Sequence, residues 1–169
     1  MYKVLLVDDE YMITEGLKVL IPFENWKMEV VATANDAETA LKYIKTNPVD
    51  LVITDVNMPG MNGLDMIAQM KSSLPNVAFI ILSGYQEFEY VKTALNLQVA
   101  DYLVKPVNKL ELAAILEKLS KNFEQSSYHQ MATIFQDDTT EEEIVHLLKE
   151  VGPIYLGAST KAQGIFSIP

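Results

Sequence analysis

Residues 50–60, DLVITDVNMPG, decide the fold and place a reactive group within it. The apolar run at 50–54 is short and rich in β-branched residues, which is typical of a parallel strand buried on both faces. Asp55 follows this run directly, and Pro59 and Gly60 then fix a tight exit from the strand. The segment therefore predicts a carboxylate at the tip of a buried strand.

Four more short apolar runs of the same kind occupy residues 3–7, 28–33, 77–82 and 100–104. Stretches with helical periodicity alternate with them, at residues 10–21, 36–46, 62–73, 86–97 and 108 to about 121. Five such pairs, joined by right-handed crossovers, predict an α/β fold with a doubly wound parallel sheet and helices on both faces. Ligands of such sheets bind beyond the carboxyl ends of the strands.

Two helices carry capping signals at their amino ends. Asn35 precedes Glu38 by three positions, and Asn108 precedes Glu111 by the same spacing. A polar capping residue followed three positions later by glutamate is typical of a helix start. We therefore expect Asn35 and Asn108 to cap the second and fifth helices.

Polar side chains stand at the ends of four predicted strands: Asp8 and Asp9 after the first, Asp55 after the third, Ser83 after the fourth and Lys105 after the fifth. All four ends open on the same side of a parallel sheet. Three carboxylates brought together repel one another unless a cation neutralises them, and oxygen ligands favour magnesium. An isolated pair such as Asp8 and Asp9 could merely cap a helix, but the other strand ends favour a Mg²⁺ site.

The same strand ends are suited to phosphoryl transfer. The Asp55 carboxylate can attack phosphorus and form an acyl phosphate. Lys105 can pair with the incoming phosphoryl oxygens, and Ser83 can donate a hydrogen bond to one of them. We therefore expect Asp55, Lys105, Ser83 and Asp8 to carry the chemistry.

The motifs VLLVDDE, ITDVNMPGMNG, LSGY and DYLVKPV resemble, in that order, those of two-component response-regulator receiver domains. The resemblance covers residues 1 to about 121. It implies a flavodoxin-like sheet with strand order 2-1-3-4-5, and a phosphorylation switch of a phosphorelay rather than an enzyme. The implied partner is a sensor histidine kinase, which phosphorylates Asp55. Asp9, Asp55 and the Asn57 carbonyl would bind magnesium, with Asp8 acting through a metal-bound water.

The resemblance also implies how phosphorylation is sensed. Ser83 and Lys105 would contact the phosphate, Tyr102 would be the aromatic switch residue, and the Lys105–Pro106 peptide bond would be cis.

Tyr85, two residues after Ser83, borders the proposed phosphate site. A bulky ring there can obstruct the water that hydrolyses the acyl phosphate, so we expect slow decay of the phosphorylated state. The alternative is that Tyr85 points to solvent or packs on the fourth helix.

Residues 83–107, SGYQEFEYVKTALNLQVADYLVKPV, further resemble the receivers of AraC-type transcriptional regulators. This implies a homodimer that forms on phosphorylation and regulates transcription. One departure is Gln98, where receivers commonly have glycine at the end of the fourth helix. A left-handed cap without glycine costs about 1 kcal/mol, so we expect this helix to end differently.

The composition sets limits on the partners. Thirteen basic residues, all lysine, face 23 acidic ones, and the net charge of −10 repels nucleic acid. DNA binding would need an output domain that this chain lacks. We therefore expect the chain to be part of a longer regulator, with residues 122–169 forming a linker and a partial or accessory segment. The pattern of this segment predicts a helix followed by strands. A stand-alone switch with an unusual tail is the alternative.

The absence of cysteine excludes disulfides and thiolate sites, and the absence of a long apolar run predicts a cytoplasmic protein without membrane contact.

Two rival functions use similar residues. A haloacid-dehalogenase-like phosphohydrolase needs a second aspartate two positions after its nucleophile, but Asn57 stands there and cannot transfer a proton. A pseudo-receiver, which binds partners without phosphorylation, would usually lack an acidic residue or the lysine. The sequence retains the acidic residues Asp8, Asp9 and Asp55 and also Lys105, which favours a receiver that is phosphorylated.

Overall fold

The computed structural model describes residues 1–84 and 88–136, and the side chains among them as far as residue 128. In this part of the chain five strands alternate with five α-helices, as the sequence predicts. Their bounds are β1 (Tyr2–Val7), α1 (Tyr11–Leu20), β2 (Met28–Ala34), α2 (Ala37–Ile44), β3 (Leu51–Asp55), α3 (Gly63–Ser73), β4 (Ala78–Ser83), α4 (Phe88–Asn96), β5 (Asp101–Val104) and α5 (Lys109–Gln136). A short 3-10 turn at Phe23–Trp26 joins α1 to β2.

All neighbouring strands are parallel and follow the order β2-β1-β3-β4-β5, so the predicted doubly wound topology is confirmed. The register aligns the carboxyl ends of the central strands. Val7 of β1 pairs with Thr54 of β3, and Asp55 pairs with Leu82 of β4. Residues that follow β1 and β3 therefore meet at one edge of the sheet.

The centre of the sheet is β3, which is buried along its whole length. Leu51, Val52 and Ile53 expose at most 1% of their surface, because helices cover both faces of the strand. The same strand ends in Asp55, which is also buried. The apolar run thus fixes a carboxylate at the rim of the core.

The α2 helix is capped by Asp36, and the predicted cap at Asn35 is wrong. Asp36 accepts hydrogen bonds from the Thr39 backbone N–H at 2.7 Å and from the Thr39 hydroxyl at 2.9 Å. The backbone hydrogen bond from Thr39 lowers the pKa of Asp36. The predicted cap at Asn108 is confirmed, since its side-chain oxygen accepts from the Leu110 backbone N–H at 2.9 Å.

The α4 helix ends in a left-handed cap at Gln98, so the expectation of a different ending is wrong. Gln98 has a φ of 51°. Its N–H donates to the Leu95 carbonyl at 3.0 Å, and the N–H of Val99 donates to the Ala94 carbonyl at 3.2 Å. These are the two hydrogen bonds of a Schellman motif. The Lys71 ammonium donates to the Gln98 carbonyl at 2.8 Å, which helps to hold a residue that lacks the freedom of glycine.

Substitution of Gln98 by glycine should raise the free energy of unfolding by about 1 kcal/mol, because glycine adopts this conformation without steric strain. Urea unfolding of Gln98→Gly beside the parent protein measures the change. The matched control is Gln98→Ala, which keeps the strain and should show no such gain. Equal stability of the glycine variant and the parent would contradict a strained cap.

The α5 helix continues to Gln136, so the predicted end near residue 121 is wrong. Neither glycine nor proline occurs between Lys109 and Gln136, and a polar composition alone does not end a helix.

The chain divides into two compact units, Met1–Asn122 and Phe123–Pro169. The further helix and strands predicted in the tail fall on 137–169, outside the described residues. Among the described residues we find no helix that could span a lipid bilayer.

Candidate functional site

Three carboxylates meet at the carboxyl edge of the sheet. Asp8 and Asp9 follow β1 and Asp55 ends β3, and one oxygen of each lies within 4.8 Å of the others. Asp8 and Asp55 are buried, whereas Asp9 is exposed. The structure thus brings together the acidic residues that the strand ends predicted, and leaves the cluster open to solvent on the side of Asp9.

Lys105 lies among these carboxylates. Its ammonium is 2.7 Å from Asp8 Oδ2 and 3.1 Å from Asp55 Oδ1, and the Glu10 carboxylate is 3.9 Å away. The backbone N–H of Lys105 donates to the Ser83 carbonyl at 2.7 Å, which fixes the loop after β5 to β4. The peptide bond between Lys105 and Pro106 is cis, as predicted.

Burial, hydrogen bonds and neighbouring charges shift the pKa of two groups in this cluster. Burial raises the pKa of Asp8, although the hydrogen bond from Lys105 acts in the opposite direction. Burial by itself would lower the pKa of Lys105, but its hydrogen bond to Asp8 and the charges of Asp55 and Asp8 together outweigh burial and raise it. Lys105 therefore stays protonated. Its one positive charge does not balance three carboxylates, so the cluster fits a divalent cation bound through oxygen ligands.

Hydrogen bonds from two residues close to it in the chain, together with the start of α3, hold Asp55 in place. The Asn57 N–H donates to Asp55 Oδ2 at 3.0 Å, and the Thr54 hydroxyl donates to the Asp55 carbonyl at 2.9 Å. Gly63, the first residue of α3, lies against the same carbonyl. A Cβ at Gly63 would be 2.0 Å from the Asp55 carbonyl oxygen, so no other residue fits without a backbone shift. Gly63 was not predicted from the sequence to be a site residue.

Two more of the predicted site residues lie on the neighbouring strands β4 and β5. Ser83 is fully buried at the end of β4, one position beyond the partner of Asp55 in the sheet. Tyr102 on β5 is partly buried and packs against the core. Tyr85 lies outside the described residues, so its predicted shielding role stays a prediction.

One contact was not predicted from the sequence. The Tyr90 hydroxyl, on the first turn of α4, donates to Asn57 Oδ1 at 3.3 Å. The two residues are 33 positions apart, and no local pattern signals such a contact. It connects α4 with the loop that follows Asp55.

Several known proteins are similar to this chain. Residues 4–117 match the family model described as the response regulator receiver domain. The uncharacterized transcriptional regulatory protein YesN of Bacillus subtilis is 38% identical over 133 residues, which are 79% of this chain and 36% of YesN. The chain therefore spans little more than a third of that relative's length.

Two solved structures share the fold over most of the described residues. The receiver domain of AraT, a response regulator from Geobacillus stearothermophilus, has a TM-score of 0.70 and 40% identity, over 75% of this chain and 98% of that one. A two-component transcriptional regulator AraC from Clostridium phytofermentans has a TM-score of 0.68 and 27% identity, over 74% and 97%.

Proposed function

The chain belongs to the response regulator receiver domain family, and from this membership we propose that Asp55 is the aspartate that its histidine kinase phosphorylates. Receivers of this family are phosphorylation-dependent switches that interact with histidine kinases and bind Mg²⁺ in an acidic pocket. The observation that carries the proposal is the position of Asp55. It is a buried carboxylate at a strand end, with the Lys105 ammonium 3.1 Å from one of its oxygens.

The transfer makes one bond and breaks one. An Asp55 carboxylate oxygen bonds to phosphorus while the bond from phosphorus to the donor's leaving group breaks, which yields an acyl phosphate. Lys105, already positioned by Asp8 and Asp55, would then pair with the phosphoryl oxygens. Ser83 at the neighbouring strand end would donate a hydrogen bond to one of them.

The residues that would hold magnesium are Asp9, Asp55 and the Asn57 carbonyl, with Asp8 acting through a bound water. When bound, the ion offsets the negative charge of the carboxylates and of the phosphoryl oxygens. Asp9 is the exposed member of the cluster, so an ion can reach it from solvent. Asn57 stands two residues after the acceptor and offers an amide, which cannot deprotonate a water. Dephosphorylation is therefore expected to be slow.

Labelling with a small phosphodonor tests this function. Incubation with acetyl phosphate and magnesium should add one phosphoryl group to the protein by intact mass, and a chelator should prevent it. After the donor is removed, the labelled protein should lose the group slowly, because Asn57 cannot deprotonate a water. A phosphohydrolase would release the group quickly and would not accumulate the labelled form. A protein that stays unlabelled at saturating donor and magnesium would contradict the proposal.

We further propose that the switch acts through α4, β5 and α5. Ser83 and Tyr102 would move toward the phosphate and the core, and the altered face would favour a homodimer. Support comes from three large apolar side chains that are more than 70% exposed on α4 and at the start of α5, namely Phe88, Leu95 and Leu110. Regulation of transcription would then require a DNA-binding domain, in keeping with the relatives that are transcriptional regulators.

Beryllofluoride, a stable mimic of the acyl phosphate, is expected to shift the protein from monomer to dimer. Light scattering with and without the mimic measures the mass directly. The substitution Leu95→Ser should weaken the dimer, because it removes an exposed apolar side chain from the proposed face. An identical mass in both conditions would contradict phosphorylation-dependent dimerisation.

A further inference from the structure

A chain of two hydrogen bonds connects the acceptor with α4. The Asn57 backbone N–H donates to Asp55 Oδ2 at 3.0 Å, and the Asn57 side-chain oxygen accepts from the Tyr90 hydroxyl at 3.3 Å. Asn57 is thus bonded on one side to the acceptor carboxylate and on the other side to a helix. Tyr90 is part of neither the acidic cluster nor the predicted set of switch residues.

Packing against the core restricts the position of the Tyr90 ring. It is partly buried and packs against the hydrophobic core, so its hydroxyl has a defined position relative to α4. The Asn57 side chain is exposed and would otherwise sample several rotamers. The bond from Tyr90 selects one of them, and it directs the oxygen end of the amide toward α4.

We propose that Tyr90 is a positioning residue that controls, through Asn57, how readily water reaches the phosphorylated Asp55. The proposal rests on the function assigned to Asp55 above. In the hydrolysis, a water oxygen bonds to phosphorus and the bond from phosphorus to the Asp55 oxygen breaks. Both protons of the water leave with the phosphate as H2PO4−, and Asp55 becomes a carboxylate again. Asn57 lies beside the acceptor, because its backbone N–H donates to Asp55 Oδ2, so an Asn57 side chain held by Tyr90 would restrict the water. The lifetime of the phosphorylated state then depends on where α4 lies.

The test is the decay of the acyl phosphate in Tyr90→Phe, which keeps the ring and removes the hydroxyl. Protein phosphorylated with acetyl phosphate is freed of donor, and loss of the phosphoryl mass is timed at fixed magnesium. Tyr90→Phe should decay about twofold to tenfold faster than the parent, the factor that one neutral hydrogen bond supports. Tyr43→Phe is the matched control, since Tyr43 is also a partly buried tyrosine packed on the core but belongs to α2. It should decay at the parent rate.

A second variant separates positioning through Asn57 from a general structural effect. In an Asn57→Ala background the hydroxyl of Tyr90 has lost its acceptor, so adding Tyr90→Phe should leave the decay rate unchanged. An unchanged or slower decay in the single variant, or the same acceleration with and without Asn57, would overturn the proposal. Intact mass at the start of each decay reports phosphorylation itself. A parent protein that takes up no phosphoryl group would therefore show that the assigned function fails, before any question of Tyr90 arises.

Discussion

Gly63→Ala is expected to lower the free energy of unfolding by about 3 kcal/mol and to slow phosphorylation. The added methyl group would lie 2.0 Å from the backbone oxygen of Asp55, and 3.3 Å from the Thr54 hydroxyl. Neither neighbour is the flexible end of a long side chain, so α3 or the end of β3 must shift. Overpacking of this kind typically costs 1–3 kcal/mol, and a contact with backbone belongs at the upper end of that range. Because the shift displaces Asp55, the loss of stability and the slower labelling should occur together.

The matched control is Gly16→Ala in the middle of α1. Apart from its chain neighbours and the backbone of its own helix, a methyl group at Gly16 meets no atom of the described residues within 4 Å. Alanine also has the higher helix propensity. This variant should be as stable as the parent or up to about 1 kcal/mol more stable. Urea unfolding followed by circular dichroism compares the three proteins. If Gly63→Ala unfolded at the same urea concentration as the parent, the close approach of α3 to the acceptor would be refuted.

The sheet and its acidic edge were predictable because they depend on local patterns. A strand buried on both faces must be apolar throughout, as β3 is, and parallel strands place their carboxyl ends on one side. Asp8, Asp9, Asp55 and Lys105 therefore had to lie near one another once the strands were identified. The structure adds the distances and shows that Lys105 pairs with Asp8 as well as with Asp55.

Other features escaped prediction because distant residues determine them. The left-handed Gln98 violates the preference for glycine, yet the hydrogen bond from Lys71 reaches it from another helix, 27 positions earlier in the chain. The bond between Tyr90 and Asn57 likewise joins residues that no periodic pattern connects. Gly63 is required by a backbone contact with Asp55, which becomes visible only when α3 is placed against β3.

Errors in the bounds of helices have a different origin. Asn35 and Asp36 are both good capping residues, and the position of the first helical turn decides between them. The structure begins α2 at Ala37, which makes Asp36 the cap. The residues after 121 are mostly polar, which is compatible with a linker, but they contain no residue that breaks a helix before Gln136, so α5 continues.

Loss of the acceptor should have the largest effect on function. Asp55→Asn keeps the size of the side chain but replaces the nucleophilic carboxylate with an amide, which does not attack phosphorus. The matched control is Asp50→Asn, just before the start of the same strand. There the carboxylate accepts a hydrogen bond from the Lys3 backbone N–H at 2.6 Å, and an amide oxygen can accept it as well. Asp50→Asn should therefore be phosphorylated like the parent.

Peptide mapping after labelling with acetyl phosphate and magnesium tests the assignment of Asp55 most directly. In the parent and in Asp50→Asn, the phosphoryl group should be found on the peptide that contains Asp55, with one group per chain by intact mass. In Asp55→Asn no phosphoryl group should be gained. Labelling of Asp55→Asn to the extent seen in the parent, or a phosphoryl group mapped to another peptide in the parent, would contradict the assignment of Asp55 as the acceptor.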